Sequence, residues 1–375
     1  MIKKIVNPKL KNSLFKIIPI PYDDELFSSW FIRTAYAHNT HPHTFYKLYI
    51  NNNAQAMYAN NFDAIISKKE ILRLENKCSN KIKLYNLTLK SYSGYLQENI
   101  VDNGFNKLLC DIRYCPKCLR EDKVVYFRKQ WKIIFNAVCT KHQCYLYDKC
   151  PKCNDKLNIS KMYQNKLSFK YCSNCGFDLS KSRVLPISKI LKHNSKYIKL
   201  LNNILTKGYI ILQNKMIYSF YFFDAILQLS KKILKHKKYK YIQDDILFKQ
   251  LDIKKTYSTY EPVHTQISIK DQFALFALVV KLFENYPKSL SRYIKVNNLS
   301  HWQMIKDMGY VSFWYENLIN GIIPRHIPIT KFITQEEIEN GKKYLISKNI
   351  LVNKASLSRL FGCSFFSVYN KLGIE

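Results

Sequence analysis

The sequence has little acid and little arginine. Its 375 residues include 60 lysines and arginines against 27 aspartates and glutamates, a formal net charge of +33. Only nine of the basic residues are arginine, and part of a lysine surplus of this kind is what an AT-rich coding sequence produces. The charge therefore predicts an anionic partner such as a phosphate backbone, but it is not proof of sequence-specific DNA reading.

The chain also lacks a long apolar run. The first twelve residues are charged and no apolar stretch of signal-peptide length follows them. The most apolar segments, residues 217–229 and 273–283, are interrupted by Asp224 or too short for the roughly 20 residues that a bilayer requires. We therefore expect a cytoplasmic protein with no membrane contact.

A disordered basic tail is excluded, because 47% of the residues are hydrophobic and 14% are aromatic. The length suggests two to three domains. We expect a mainly α fold with small β elements of zinc-ribbon type. The predicted domains are an N-terminal helical, helix-turn-helix-like domain (1–110), a tandem zinc-ribbon domain (111–182), a basic helical domain (183–295) and C-terminal helix-turn-helix-like helices (296–375).

Eleven cysteines in a reducing compartment point to metal sites more than to disulfides. Eight potential ligands form four pairs, each with a two-residue gap, within about sixty residues. The pairs are Cys115 and Cys118, Cys139 and His142, Cys150 and Cys153, and Cys172 and Cys175. Four such ligands at about 2.3 Å for sulfur complete the tetrahedron that zinc accepts.

Taken in order, the pairs predict one site of three cysteines and a histidine and one site of four cysteines. Crossed pairing stays open, because spacing does not fix which pairs share an ion. Both sites have all four positions filled by protein, so we expect two structural zinc ions per chain. Gly176 suits a tight knuckle, and residues 131–138 and 167–171 are predicted as strands. The other cysteines, Cys78, Cys110, Cys144 and Cys363, are expected to be small buried hydrophobes.

Near the N-terminus, residues 21–33 predict the start of a helix capped by Asp23. The neighbouring acids Asp24 and Glu25 would complement the positive end of that helix. A metal nuclease is disfavoured, because three adjacent acids in one helical turn point in different directions. The nearby histidines are expected to be ordinary surface residues; they are His38, His41 and His43.

Residues 185–250 carry thirteen lysines and three aspartates, a local net charge of +10. A helix with an apolar face is predicted around residues 222–233, and lysines crowd its end. Either they form a solvated face, or they contact nucleic-acid phosphates. The candidate phosphate contacts are Lys231, Lys232, Lys235, Lys237, Lys238 and Lys240.

Residues 270–283 predict an apolar helix, and two later segments have helix-turn-helix periodicity. In the first, a turn at Gly309 and a cap at Ser312 separate two helices, and in the second Gly362 and Ser364 take those positions. The second helix of each segment begins with aromatic residues; the first of these helices has no basic residue and the other has only Lys371. This composition fits a packed protein interface or a domain interior better than a major groove of DNA. The candidate docking residues are Phe313, Trp314, Ser364, Phe365, Asn370 and Lys371.

Four segments together resemble the TniQ/TnsD family, the target-selection proteins of Tn7-like transposons. They read PYDDELFSSWFIR, RYCPKCLREDKVVYFRKQWKIIFNAVCTKHQCYLYDKCPKC, CSNCGFDLS and LFENYPKSL. The resemblance covers the first half of the chain well and the second half thinly. It implies a non-catalytic adaptor that marks an insertion site, recruits the transposon's AAA+ ATPase and so brings in the transposase.

Within that family the resemblance implies two modes of target recognition. Longer members bind an attachment sequence directly, whereas shorter members dock, usually as dimers, on an RNA-guided Cascade effector with its guide RNA. The length and the aromatic helices favour effector docking, whereas the charge favours direct recognition of DNA or contact with guide RNA or nearby duplex. A stand-alone zinc-binding helix-turn-helix transcription regulator is an alternative, and a nuclease or a thiol oxidoreductase is a weaker one.

Overall fold

The structure is a computed structural model of the chain. It describes residues 14–51, 54–58, 62–79, 82–92, 108–161, 168–234, 238–252, 267–306, 308, 311–323 and 334–361. The chain divides into two compact units, unit 1 over residues 1–318 and unit 2 over residues 319–375. The predicted boundaries at 110/111, 182/183 and 295/296 all lie inside unit 1.

The fold is mainly helical with a few short strands, as the sequence predicts. The described α-helices are α1 (Phe27–Ala37), α2 (Pro42–Tyr49), α3 (Phe62–Ile65), α4 (Lys68–Lys77), α5 (Pro116–Glu121), α6 (Lys189–Lys192), α7 (Ser195–Lys207), α8 (Ser219–Leu234), α9 (Ile246–Lys249), α10 (Ile269–Lys281), α11 (Lys288–Val296), α12 (His301–Ile305), α13 (Phe313–Ile322), α14 (Gln335–Ser347) and α15 (Lys354–Phe361). The described 3₁₀ helices are Gln55–Tyr58, Leu84–Leu87, Leu89–Tyr92, Lys129–Lys132 and Leu179–Lys181. Two antiparallel hairpins complete the described elements, β1 (Val138–Cys139) with β2 (Cys144–Tyr145) and β3 (Tyr209–Leu212) with β4 (Lys215–Tyr218).

Helix α1 starts later than the sequence predicts and is capped from a distance. Its N-cap residue is Leu26, which has no side-chain acceptor, so Asp23 is not the cap. Asp63 of α3 supplies the acceptor instead, because its carboxylate takes the Ser28 backbone N–H at 2.6 Å and the Ser28 hydroxyl at 2.9 Å. The capping group is therefore contributed by tertiary packing.

The acids before α1 have separate structural roles. Glu25 is fully buried and accepts two hydrogen bonds from the Arg33 guanidinium, at 2.8 and 2.7 Å. Burial raises the pKa of Asp24 from 3.8 to about 6, against the lowering effect of a hydrogen bond from Gln130. These environments fit structural roles and not a shared metal site.

His41 accepts the backbone N–H of His43 and so caps α2.

The core of unit 1 joins the cysteine-rich segment to the later helices. Helix α10 is buried along residues 271–280, as its apolar sequence predicts. The Phe135 ring stacks on Phe223 of α8 and meets Phe276 of α10 edge-on. Buried Arg113 donates to the Ile134 carbonyl at 3.0 Å and to Gln272 Oε1 on α10. This guanidinium ties two segments that are far apart in sequence.

The predicted strands at 131–138 and 167–171 are wrong over most of their length. Residues 129–132 form a 3₁₀ helix, and only Val138 of the first segment lies in a strand. The consecutive residues Ile133, Ile134 and Phe135 are all buried, so both faces are covered and the alternation of a half-exposed strand is absent. In the described part of the second segment, Tyr171 makes an isolated bridge to Asp178 and residues 169–170 form a turn.

In the first segment with predicted helix-turn-helix periodicity, the structure has the helices α12 and α13, and Ser312 accepts the Tyr315 N–H at 3.3 Å. Helix α12 ends at Ile305, and Gly309 lies outside the described residues. Of the second corner, α15 is described, whereas Gly362 and the helix after it are not.

Unit 2 has its own small core of Ile338, Leu345 and Leu357. The Phe361 ring packs so closely on α14 that a Cβ at Gly341 would meet it at 2.6 Å. Glycine at this position therefore permits the close approach of α15 to α14. Among the residues that the structure describes, no helix combines the length and the apolar character needed to cross a bilayer.

Candidate metal centres

The four ligand pairs assemble in sequence order into two groups. Cluster 1 consists of Cys115, Cys118, Cys139 and His142. Cluster 2 consists of Cys150, Cys153, Cys172 and Cys175. Within each group, the four ligand atoms lie within 4.8 Å of one another, so the geometry favours the sequential pairing over a crossed one.

In cluster 1, the ligand atoms are spaced as a tetrahedral site requires. A zinc ion with sulfur ligands at 2.3 Å places neighbouring sulfurs about 3.8 Å apart, and a closer nitrogen ligand shortens that edge. The Cys118 and Cys139 sulfurs are 3.7 Å apart. The Nδ1 atom of His142 lies 3.3 Å from the Cys115 and Cys118 sulfurs and 3.5 Å from the Cys139 sulfur. This donor set fits a zinc ion.

Cluster 2 has the same spacing with sulfur ligands alone. The Cys150 and Cys175 sulfurs are 3.6 Å apart, and those of Cys153 and Cys172 are 3.7 Å apart. Burial raises the pKa of the Cys150 thiol to about 12 when no cation is present. A bound cation reverses this preference, because thiolate is the ligand form.

Three of the four pairs are formed by the same kind of backbone turn. The residue after the second ligand has a positive φ, which is 50° at Gln143, 60° at Asn154 and 68° at Gly176. Each of these residues donates its N–H to the carbonyl of the first ligand residue, over 2.8, 2.9 and 3.0 Å in that order. The turn aims both ligands of a pair at one point, and left-handed backbone is tolerated by glycine and asparagine.

The sequence interpretation identified only Gly176 in this role. Asn154 occupies the corresponding position after the preceding pair. It also indicates such a turn, because asparagine is enriched in left-handed backbone. The remaining pair is held by a helix, since Cys115 is the N-cap residue of α5 and Pro116 occupies its first position. Cluster 1 therefore combines a helix start with the β1–β2 hairpin.

An acid outside the ligand set orients the histidine of cluster 1. Nε2–H of His142 donates to Glu121 Oε2 at 2.8 Å, which leaves Nδ1 free to face the sulfurs. Lys141 also contacts this carboxylate at 2.8 Å. Hydrogen bonds from Lys141 and then from His142 lower the pKa of Glu121 to about 2. The sequence pattern gave no sign of this partner.

Cys144, expected to be a small buried hydrophobe, is buried but also belongs to the surroundings of cluster 1. Its sulfur lies 3.6 Å from that of Cys115. Hydrogen bonding from Cys118, Cys139 and Cys144 lowers the pKa of Cys115. Cys144 pairs with Cys139 in the β1–β2 register, which explains its position beside the ligands.

The structure separates the six candidate phosphate-contact lysines. Lys232 is 1% exposed, so it is not on the predicted surface, because it shares the buried face of α8 with Leu229. Lys238 donates to the Asn297 carbonyl at 3.2 Å. Lys231 is half-buried and Lys240 is exposed, whereas residues 235 and 237 lie outside the described residues.

The candidate docking residues are also divided. Phe313 is 77% exposed at the start of α13, and the Trp314 indole donates to the Tyr286 hydroxyl at 3.1 Å. The four candidates at positions 364, 365, 370 and 371 lie outside the described residues. Trp302 on α12, which the sequence interpretation did not select, is 64% exposed.

The fold and the two ligand sets define the class of protein: it is mainly helical and has two metal-binding clusters, each with four ligands. Residues 16–146 match the family model described as TniQ, so this part of the chain is similar to that family. The matched segment contains all of cluster 1 and ends before cluster 2. No curated protein sequence matches the chain. A TniQ domain indicates a role in target selection for transposition, and the TniQ family consists of non-catalytic adaptors.

Proposed function

We propose that the protein is the target-selection adaptor of a transposon, which recruits the transposon's AAA+ ATPase and, through it, the transposase. The observation that carries this proposal is the TniQ match over residues 16–146, which coincides with the segment that builds cluster 1. The two clusters would each hold one zinc ion. Because every position in each set is filled by protein, the ions would stabilise the fold and take no part in chemistry.

The target itself would be marked by an RNA-guided Cascade effector on which the protein docks, as a homodimer. Support comes from α13, which contains no basic residue and presents an exposed phenylalanine at its first position. Exposed aromatic side chains are common anchors at protein interfaces, whereas base reading prefers arginine, lysine, asparagine and glutamine. Phe313 and Trp302 are therefore the proposed protein contacts in the described part of the chain.

Direct recognition of an attachment sequence is the second candidate, and the net charge of +33 favours it. In that case, the exposed Lys240 and the lysines at 235 and 237 would contact phosphates. A stand-alone transcription regulator is the third candidate, and its support is the helix-turn-helix periodicity of the sequence around α12 and α13. Adjacent transposase and ATPase genes would argue against the third.

Co-purification separates these candidates. The full-length protein would be co-expressed with a transposon AAA+ ATPase and with a Cascade effector, and each would be tested for capture. Phe313→Ala should reduce capture of the effector at least about tenfold if this side chain is an anchor. Leu351→Ala, on an exposed apolar side chain of unit 2, is the matched control. Sequence-specific duplex binding by the protein alone at physiological salt would favour the attachment-sequence reader instead, and failure to capture the ATPase would overturn the adaptor function.

A further inference from the structure

A long acid-free segment lies directly after cluster 2. Residues 179–223 contain no aspartate or glutamate and eight lysines or arginines, between Asp178 and Asp224. In the structure, this segment forms α6, α7 and the β3–β4 hairpin. Its charge is therefore concentrated on contiguous elements of unit 1 and is not a property of the whole chain alone.

Helix α7 presents one face to solvent, and all but one of its exposed side chains are polar. Its opposite face is buried and packs against α10. The exposed positions recur at helical spacing and are Lys196, Lys199, Leu200, Asn203, Thr206 and Lys207. Lys196 is paired with Glu284 at 3.0 Å, whereas Lys199 and Lys207 have no acid within 4.0 Å among the described residues. Lys199 and Lys207 thus lie one on each side of Asn203, and neither has an ion pair among the described residues.

The hairpin continues directly from this helix. Gly208 ends α7 with a φ of 83°, and the Ser219 N–H donates to its carbonyl at 2.8 Å, which closes the base of the hairpin. Gln213 and Asn214 form the two-residue turn, both with positive φ, and place exposed Lys215 beside the tip. The result is a narrow two-stranded ribbon with a basic end.

One face of the ribbon is exposed and apolar. Tyr209 pairs with Tyr218 and Ile211 pairs with Met216 in the strand register, and all four side chains are exposed. Ile211 alone is 62% exposed, whereas Ile217, on the other face, is buried. An exposed apolar face of this kind marks an interaction site.

We propose that α7 and the β3–β4 hairpin together form a surface that binds duplex DNA. A groove of B-DNA admits a helix or a two-stranded ribbon, and lysine, asparagine and threonine side chains contact its phosphates. The apolar ribbon face would lie against sugars and thymine methyl groups. A protein partner is disfavoured because lysine is depleted at protein interfaces, and here Lys199, Lys207 and Lys215 flank the exposed apolar residues.

This inference rests on the proposed function in one respect, since it assigns target DNA next to the insertion site as the ligand. It differs from the earlier prediction, which placed phosphate contacts at residues 231–240. The binding would be independent of sequence in its main part, because lysines on phosphates contribute affinity without reading bases. A guide, an effector or another partner would supply the specificity.

The test is a salt titration of full-length, zinc-loaded protein with a fluorescent random-sequence duplex. The variant combines Lys199→Gln, Lys207→Gln and Lys215→Gln. Each lost phosphate contact lowers the slope of log affinity against log salt by about 0.9, so we expect a slope shallower by about 2 to 3. At about 0.1 M salt, the affinity should fall at least tenfold.

The matched control combines Lys68→Gln, Lys69→Gln and Lys83→Gln, three exposed lysines of the N-terminal region with the same charge change. An unchanged slope in this control, together with the loss in the first variant, supports the surface. Equal losses in both would overturn it, because binding would then follow net charge alone. The proposal would also be overturned if the first variant kept the duplex affinity of the wild type. The same holds if it lost only the ability to capture an acidic partner protein.

Capture of the ATPase by the first variant keeps the two proposals apart. If duplex binding proves independent of these lysines while the ATPase is still captured, the DNA surface is wrong and the adaptor function stands. If wild-type protein binds duplex through these lysines but captures no ATPase, the surface stands and the adaptor function fails.

Discussion

The Nε2 atom of His142 lies 2.8 Å from Glu121 Oε2, so a carboxylate outside the ligand set fixes the ring of the histidine in cluster 1. A partner of this kind holds the tautomer in which the other nitrogen faces the metal. It links α5, which carries Cys118, to the β1–β2 hairpin, on which the histidine lies. Glu121 is therefore a positioning residue for the site.

Glu121→Gln should weaken zinc binding at cluster 1 by about tenfold, because loss of such a partner typically costs ten- to a hundredfold in metal affinity. Competition with a chromophoric chelator measures this change. Glu339→Gln, which removes an exposed acid paired with Lys342 in unit 2, is the control and should leave both sites unchanged. Equal affinities in the Glu121 variant and in the wild type would contradict the positioning role.

Cys172→Ser should reduce the zinc content from two ions to one per chain, because it removes one of the four sulfurs of cluster 2. Elemental analysis of protein purified without chelators gives the ratio. Cys78→Ala is the matched control, since Cys78 is buried but lies outside both clusters. A wild-type preparation without zinc would refute the assignment of both sites.

Asp63→Ala should destabilise the protein by about 2 kcal/mol, because it removes a buried cap and leaves the Ser28 N–H and hydroxyl without their acceptor. Chemical denaturation monitored by circular dichroism measures the loss. Asp23→Ala, at the exposed position that the sequence favoured as the cap, should change the free energy of unfolding by less than about 0.5 kcal/mol. A larger loss of stability in Asp23→Ala than in Asp63→Ala would show that Asp23 is the cap, as the sequence predicts.

Asp24→Asn should stabilise the protein at neutral pH. The pKa of Asp24 is about 6 in the folded state against 3.8 ordinarily, because burial disfavours the charged form. Between these values, the folded chain holds a proton that the unfolded chain has released, so stability falls as the pH rises from about 4 to about 6. The asparagine variant lacks this penalty, which is at most about 3 kcal/mol.

The measurement is the difference in free energy of unfolding between this variant and the wild type at several pH values. The difference should be largest at about pH 7.5 and should shrink as the pH approaches 5. Comparing the two proteins at each pH cancels the contribution of the metal sites. A difference that is independent of pH would show that the pKa of Asp24 is the same in the folded and unfolded states.

Features set by neighbouring residues were predictable, and those set by distant packing were not. The two metal clusters follow from local spacing, since three of the four pairs form a turn with a left-handed residue after a two-residue gap and the fourth pair lies at the start of α5. The cap of α1 was missed because Ser28 and Asp63 are 35 residues apart and meet only through tertiary packing. No local pattern encodes such a contact.

Two errors in the sequence interpretation have a physical origin in burial. Lys232 lies three residues after Leu229, which places it on the buried side of α8, and helical spacing alone would have removed it from the predicted patch. Residues 131–138 were interpreted as a strand between the two halves of cluster 1. They are buried, and apart from Val138 in β1 their described strand pairing is the isolated bridge of Ile133 with Leu109.

Buried Arg113 sets a limit on where this chain can be cut. The family match ends at residue 146, but the guanidinium of Arg113 donates to Gln272 on α10, and Phe135 is covered by rings of α8 and α10. A fragment that stopped at the end of the match would leave a cation without one of its acceptors and would expose aromatic surface to water. The segment that matches the TniQ model is thus shorter than the segment that packs together here, and we expect expression of an intact domain to require the helices through α10.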